Sequence, residues 1–261
     1  MRENKRDRIQ AKERKHFQVV SWLSRLIFSD DVYQRMSGYL LCGLIFFAIS
    51  WAIAYFFMGE GALKNTLLVD KIFGIKGSAD IGAWFKARWG ETFKIFKWEL
   101  ETENTFNTWG NVLLLTIKNF IHYFIIALVF IFFLNRFKIG RLSLGLVYYL
   151  LYTILIGIVV GTNSYIYPPQ GYTVLGALVT FLRFGLWVWF SYGLLIASTV
   201  NWTWLKTESF HDSAWHRVGR FWSWPALHTD EKEVLIFGFL FLLVSSFAEA
   251  RLIVFYGYHL L

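Results

Sequence analysis

Charged residues, prolines and cysteines are all scarce in this sequence of 261 residues. Lys, Arg, Asp and Glu together account for 17% of the chain, and there are three prolines and one cysteine. The single cysteine, Cys42, excludes a disulfide within one chain and a metal site built from several cysteines. So few charges leave too little polar surface to cover a soluble domain of this length.

Hydrophobic residues take the place of the missing charges. They make up 56% of the sequence, and Phe, Trp and Tyr alone make up 20%. A soluble domain of this size cannot bury that much apolar surface, whereas a polytopic membrane protein leaves much of it facing lipid. We therefore interpret the chain as an integral membrane protein.

Five apolar windows are long enough to cross a hydrocarbon layer of about 30 Å, which takes about 20 helical residues. They span Ser37 to Met58, Asn111 to Leu134, Leu142 to Gly161, Thr173 to Val200, and Val234 to Tyr256. These runs are continuously apolar and lack the alternation expected of strands. The predicted fold class is all-α: a polytopic membrane helix bundle with five transmembrane helices plus amphipathic interfacial helices.

The positions of Lys and Arg predict the orientation of the helices. Nine lie before or at the start of the first window, three follow the second window, and four follow the fourth. All of these segments share one side if the N-terminus is cytoplasmic, which places the C-terminus outside the cell membrane. The net charge of +8 is thus mainly a topology signal. A nucleic-acid partner is not expected.

The chain lacks repeats and low-complexity linkers, so we predict a single membrane domain over residues 1–261. Residues 1–36 form a basic cytoplasmic or interfacial segment, and residues 59–110 form an outer loop with an amphipathic helix. Residues 201–233 form a Trp-rich cytoplasmic loop. Its tryptophans are predicted either to anchor the loop at the headgroups or to dock a partner, and they are Trp202, Trp204, Trp215, Trp222 and Trp224.

Polar side chains inside the apolar windows are the main candidates for function, because an ionisable group in hydrocarbon normally has a partner or water. They are Glu249, Arg251, Lys118, Asn119, His122 and Arg183. Glu249 and Arg251 are two positions apart, a rotation of about 200°, so they cannot readily pair with each other. We predict that Glu249 pairs with Arg183 or Lys118, whereas Arg251 reaches the outer headgroups. The pair would fix the helix register or belong to a proton or substrate path.

No catalytic pattern stands out among the remaining residues. The six histidines form no helical His-x-x-x-His pair, the serines have no accompanying His and acid, and no Gly-rich phosphate loop occurs. His211, Asp212 and His216 could share a metal, but a spacing of five places the two histidines on different helix faces. We predict a protein that is not an enzyme and has no cofactor. Gly157 and Gly161 match the small-residue motif of helix packing.

Two motifs, "FLNRFKIG" at 133 to 140 and "SSFAEARLI" at 245 to 253, resemble the stage II sporulation protein M family. The layout of one N-terminal span, a long outer loop and four further spans is similar, and "FLNRFKIG" carries Asn135 and Gly140 in matching places. The last helix, "SSFAEARLI", supplies the small and acidic residues of that family at 248 to 250. The fourth span keeps Gly185 but has Val188 where the family carries an acid. The resemblance covers roughly residues 100 to 257.

This resemblance implies a non-enzymatic subunit or scaffold of a larger membrane complex of the cell-envelope or peptidoglycan-remodelling type. The alternative is a permease-like subunit of an ATPase-driven exporter, and an intramembrane enzyme is the third reading. The partners expected are membrane lipids and other protein subunits, such as an ATPase or an envelope protein. A homo-oligomer is also compatible with the sequence.

Overall fold

The computed structural model of the chain is mostly helical. It describes residues 21–59, 62–63, 109–162, 178, 181–209, 214–219 and 227–256. Residues 1–20 of the predicted basic segment and most of the predicted outer loop lie outside the described residues, as do Trp222 and Trp224.

Five long helices account for most of the described residues. They are α1 (Val32–Ile53, continued by a π-helical turn Ala54–Met58), α2 (Trp109–Ala127, continued by Leu128–Phe133 and Leu134–Arg136), α3 (Leu144–Gly161), α4 (Leu186–Thr199, preceded by the π-helical turn Phe181–Gly185) and α5 (Thr229–Tyr256). Within the described part of the chain, four stretches are long and apolar enough to cross a membrane: Val32–Met58, Trp109–Ala127, Leu144–Gly161 and Thr229–Arg251. The predicted fourth window, Thr173 to Val200, is not among these four stretches. Its α-helix α4 has only 14 residues, and much of 173–180 lies outside the described part.

Polar side chains fix where three of these helices begin. Before α1, the Asp31 carboxylate accepts hydrogen bonds from the backbone N–H groups of Tyr33 and Gln34, at 2.8 and 3.0 Å. Before α3, the Ser143 hydroxyl accepts one from the backbone of Leu146 at 3.1 Å. In the first turn of α5, Glu231 reaches back to the backbone N–H of His228 at 3.2 Å. Each bond satisfies a donor that the helix itself leaves unpaired.

A small sheet corrects the all-α prediction. Its strands are β1 (Phe137–Ile139), β2 (Leu142–Ser143), β3 (Leu205–Thr207) and β4 (His216–Arg217), in the order β2-β1-β3-β4. The β1–β3 pair is parallel, and the β1–β2 and β3–β4 pairs are antiparallel. Strands of two or three residues carry no readable alternation, and the central pair joins segments far apart in sequence, so sequence patterns did not predict the sheet.

The chain divides into two compact units. The first unit comprises Met1–Ile45, Ala127–Leu150 and Phe190–Phe239, and the second comprises Phe46–Ile126, Leu151–Trp189 and Leu240–Leu261. The core of the first unit includes the buried Tyr39, Leu146, Tyr149, Leu195 and Ile196. In the second unit, Val112, Leu115 and Ala250 form one buried cluster.

Candidate functional site

A polar cluster surrounds Glu249 in the second unit. The Glu249 carboxylate is buried and accepts a hydrogen bond from the Tyr123 hydroxyl at 2.6 Å. The Asn119 side chain lies beside the same carboxylate, although its Nδ2 is buried and has no hydrogen bond within 3.5 Å among the described residues. Asn119 and Tyr123 are four residues apart on α2 and therefore share a helix face. The hydrogen bond from Tyr123 thus stabilises the Glu249 carboxylate among apolar side chains.

The predicted ion pair of Glu249 is not present in the described part of the chain. No cation lies within 4.0 Å of its carboxylate there, and Lys118, His122 and Arg183 are exposed. Lys118 is five residues from Tyr123, which is a rotation of about 140° and directs it away from the face that meets Glu249. The structure therefore gives Glu249 a neutral hydrogen-bond donor where we predicted a cation. Arg251 is also exposed.

Gly157 and Gly161 lie where α3 approaches α1 in the second unit. A Cβ atom at Gly157 would overlap the Ser50 hydroxyl and approach the Phe47 carbonyl oxygen to 2.9 Å. At Gly161 it would meet the Trp51 carbonyl oxygen at 2.5 Å. The two glycines thus sit at positions where only a missing side chain allows the backbones this close.

The tryptophans of the predicted cytoplasmic loop have different environments. Trp202 is buried, and the Arg136 guanidinium carbon lies 5.5 Å from the centre of its ring. Trp204 contacts Phe137 edge to face at 5.9 Å, and Trp215 does so at 6.0 Å while remaining 42% exposed. The Trp202 side chain therefore belongs to the interior, and Trp215 is the one of these three that offers a large exposed ring.

A buried ion pair that sequence patterns did not predict lies in the first unit. Arg35 in the first turn of α1 and Glu231 in the first turn of α5 are 3.2 Å apart, and their side chains are 4% and 6% exposed. The Arg35 guanidinium also donates to the backbone oxygens of Ala197, Ser29 and Asp30. Asn201 donates a further hydrogen bond to Glu231 at 2.8 Å. The sequence did contain one signal for this pair: an apolar helix with Arg35 in its first turn and another with Glu231 in its first turn.

Beside this pair, the first unit contains a partly open basic cavity of about 720 Å³. Among the described residues, five cationic side chains and one carboxylate, that of Asp30, line it. The cations are Arg35, Arg136, Lys138, Arg141 and Lys206. They come from the start of α1, the end of the α2 segment, the β1–β2 hairpin and β3, so the fold collects charges that are dispersed along the sequence. We refer to this space as the basic cavity.

The sheet places two of these cations side by side. Lys138 on β1 and Lys206 on β3 are direct partners across the parallel ladder, and neighbouring strands lie about 4.8 Å apart. Like charges opposite each other destabilise a strand pair. The ladder therefore brings two positive charges to the same face of the sheet, where an anion would offset their repulsion.

Burial makes the positive charge on Lys138 less favourable. It lowers the pKa of Lys138, and the nearby charges of Arg35 and Lys206 lower that pKa further. Burial also lowers the pKa of Arg136. A negative ligand would reverse these effects, because an opposite charge favours the protonated forms of both side chains. The arrangement is thus chemically suited to bind an anion.

Metal chemistry has no comparable arrangement in the residues that the structure describes, where no group of three or more His, Cys, Asp or Glu side chains could hold an ion. His216 lies on β4, and His211 and Asp212 lie outside the described residues. The two motif residues of the family resemblance serve the fold of the first unit: Asn135 donates to Ile196 and Thr199, and Gly140 forms the β1–β2 turn. In comparisons with known protein families, curated proteins and solved structures, nothing matches this chain.

Proposed function

We propose that this chain is a multi-pass membrane protein that works without catalysis as a subunit or scaffold of a larger complex in the cell envelope. The observation that carries the proposal is the apolar outer surface of its helices. In the second unit, Ile49, Ile53, Phe56 and Phe57 are 52%, 52%, 73% and 84% exposed. A stripe of large apolar side chains this exposed fits contact with lipid or with another protein.

The helix ends in the first unit support five membrane crossings. The Arg35–Glu231 ion pair brings the first turns of α1 and α5 together, so both helices begin on the same side and cross in the same direction. Two helices of one chain can cross in the same direction only if the chain crosses the membrane an odd number of times between them. Since α2 and α3 supply two, the segment that contains α4 supplies the third, which makes five in total.

Two further observations support this topology. Asn135, just after α2, bonds to Thr199 at the end of α4, which fits two helices that end on the same side. The cations Arg25, Arg35, Arg136, Lys206 and Lys232 all belong to the first unit, where these ends lie. The positive-inside rule makes that side cytoplasmic. The orientation proposed is N-terminus inside and C-terminus outside.

Identification of the proteins that co-purify with the full chain in a mild detergent tests the proposed role. Peptidoglycan or other envelope proteins, recovered in fixed stoichiometry and lost in a harsher detergent, are the expected result. Recovery of an ATPase instead would assign the chain to an exporter. Catalytic turnover by the purified chain alone would contradict both roles.

A further inference from the structure

We propose that the basic cavity of the first unit binds a phosphate group, carried either by the headgroup of an anionic phospholipid or by a free phosphate. This inference goes beyond the role of the chain in a complex. It stands on the charges and positions of the residues that line the cavity, whichever partners the chain has.

Arg35 forms the fixed wall of this cavity. Its Nε donates to Ala197 O at 2.8 Å, its Nη1 donates to Ser29 O and Asp30 O, and its Nη2 meets Glu231 at 3.2 Å. The Glu231 carboxylate compensates its charge. Arg35 therefore holds the helix ends in place, and the binding of an anion falls to the other cations.

Three of those cations have no acidic partner within the described residues. Lys138, Arg141 and Lys206 make no ion pair within 4.0 Å there, although all three line the same cavity. Lys138 and Lys206 are neighbours across the β1–β3 ladder, and Arg141 follows the turn at Gly140. The fold thus directs several positive charges toward one space without neutralising them.

Phosphate fits this arrangement better than a singly charged carboxylate. It offers at least three strong acceptor oxygens and so accepts charge-assisted hydrogen bonds from several cations at once. Arg contacts phosphate through its planar fork and Lys acts as a point charge. A cavity of about 720 Å³ holds such a group together with water.

In the proposed topology, the cavity lies at the level of the cytoplasmic lipid headgroups. Its lining includes Tyr39 near the start of α1, Arg136 at the end of the α2 segment, and Val200 and Trp202 just after α4. Basic pockets at the cytoplasmic ends of membrane helices are suited to anionic headgroups. A free phosphate shares the same chemistry, so the two sources are separated by experiment.

The experiment compares the full chain with the variant Lys138→Gln/Lys206→Gln in mixed micelles. Thermal unfolding is followed against added phosphatidylglycerol, against phosphatidylcholine of the same acyl chains, and against inorganic phosphate with chloride at equal ionic strength. The matched control is Arg25→Gln/Lys232→Gln, which removes the same charge from exposed positions outside the cavity. The unsubstituted chain is expected to gain stability with phosphatidylglycerol or inorganic phosphate, and the control is expected to behave alike.

Each lysine removed is expected to weaken the apparent affinity about tenfold. Stabilisation by phosphatidylglycerol alone identifies a lipid headgroup, whereas stabilisation by inorganic phosphate identifies a free phosphate. Equal responses of the unsubstituted chain and the lysine variant, or no response to either anion, would overturn the proposal.

A single substitution at the exposed Lys206 keeps the test valid if the double variant does not fold. Lys206→Gln is expected to raise the unfolding temperature in ligand-free neutral micelles, because it removes the repulsion with Lys138, and to lower the gain from the anion. A purely structural lysine would give a loss of stability without ligand and an unchanged response to the anion. That result would also overturn the proposal.

Discussion

Glu231 compensates the Arg35 guanidinium, which is buried where α1 and α5 begin. We expect Glu231→Gln to lower the free energy of unfolding by about 3 kcal/mol or more, because it leaves a buried charge without its counter-ion. Denaturant titration of the full chain in detergent measures the loss. The matched control is Glu233→Gln, an exposed neighbour that accepts a hydrogen bond from Tyr33 and is expected to cost about 0.5 kcal/mol or less. Equal losses from both variants would rule out a special role for the buried pair.

The Tyr123 hydroxyl donates a hydrogen bond to the buried Glu249 carboxylate. We expect Tyr123→Phe to destabilise the chain by about 1 to 3 kcal/mol, because a buried acceptor then loses its partner. Tyr55→Phe is the control, since no hydrogen bond of its hydroxyl occurs within the described part of the chain. The readout is the shift in the unfolding midpoint of each variant. A Tyr123→Phe midpoint as little affected as that of Tyr55→Phe would contradict a stabilising role for this bond.

Among the structural elements, α1 and α3 depend on glycine for their close approach in the second unit. Gly157→Ala places a Cβ atom against the Ser50 hydroxyl and the Phe47 carbonyl oxygen. We expect it to cost about 1 to 3 kcal/mol, as other overpacking substitutions do. Ser50→Ala in the same chain removes one of the two clashing atoms and should recover part of the loss. The coupling is measured by comparing the two single variants with the double variant, and strictly additive effects would contradict this contact.

The β1–β2 hairpin depends on the left-handed conformation of Gly140, whose φ is +60°. Its backbone N–H also donates to Thr207 O on β3 at 2.8 Å. Gly140→Ala is expected to destabilise the chain by about 1 kcal/mol, because a Cβ atom is unfavourable at positive φ. Gly140→Asn should cost less, since Asn tolerates this region better. Unfolding midpoints of the two variants provide the measurement, and a milder effect of Ala than of Asn would contradict the conformational explanation.

At the scale of the whole molecule, the five crossings that we propose would place the C-terminus on the opposite side of the membrane from the N-terminal segment. The test uses Cys42→Ser as background, so that each introduced cysteine is the only one. A membrane-impermeant maleimide applied to intact cells should label Ala62→Cys and His259→Cys but not Lys232→Cys. Permeabilised cells are the control in which all three sites react. Protection of His259→Cys in intact cells, with Ala62→Cys labelled, would instead indicate an even number of crossings.

Local sequence patterns were sufficient to predict the helices but not the contacts between them. A continuous apolar run of about 20 residues indicates a helix without reference to the rest of the chain, and four of the five predicted windows correspond to long apolar helices. The partner of Glu249 could not be read in this way. The sequence left Arg183 and Lys118 as candidates, and the rotation of α2 brings Tyr123 instead of Lys118 to the Glu249 carboxylate.

By itself, the sequence determined that the chain is rich in long apolar helices and that its basic residues lie in particular connecting segments, because composition and spacing are local properties. The tertiary structure alone decided that Lys138 meets Lys206 and that Arg35 meets Glu231. These residues are far apart along the chain, and their proximity depends on how the strands and helix ends pack. The same segments that appeared only to orient the helices therefore form one basic cavity.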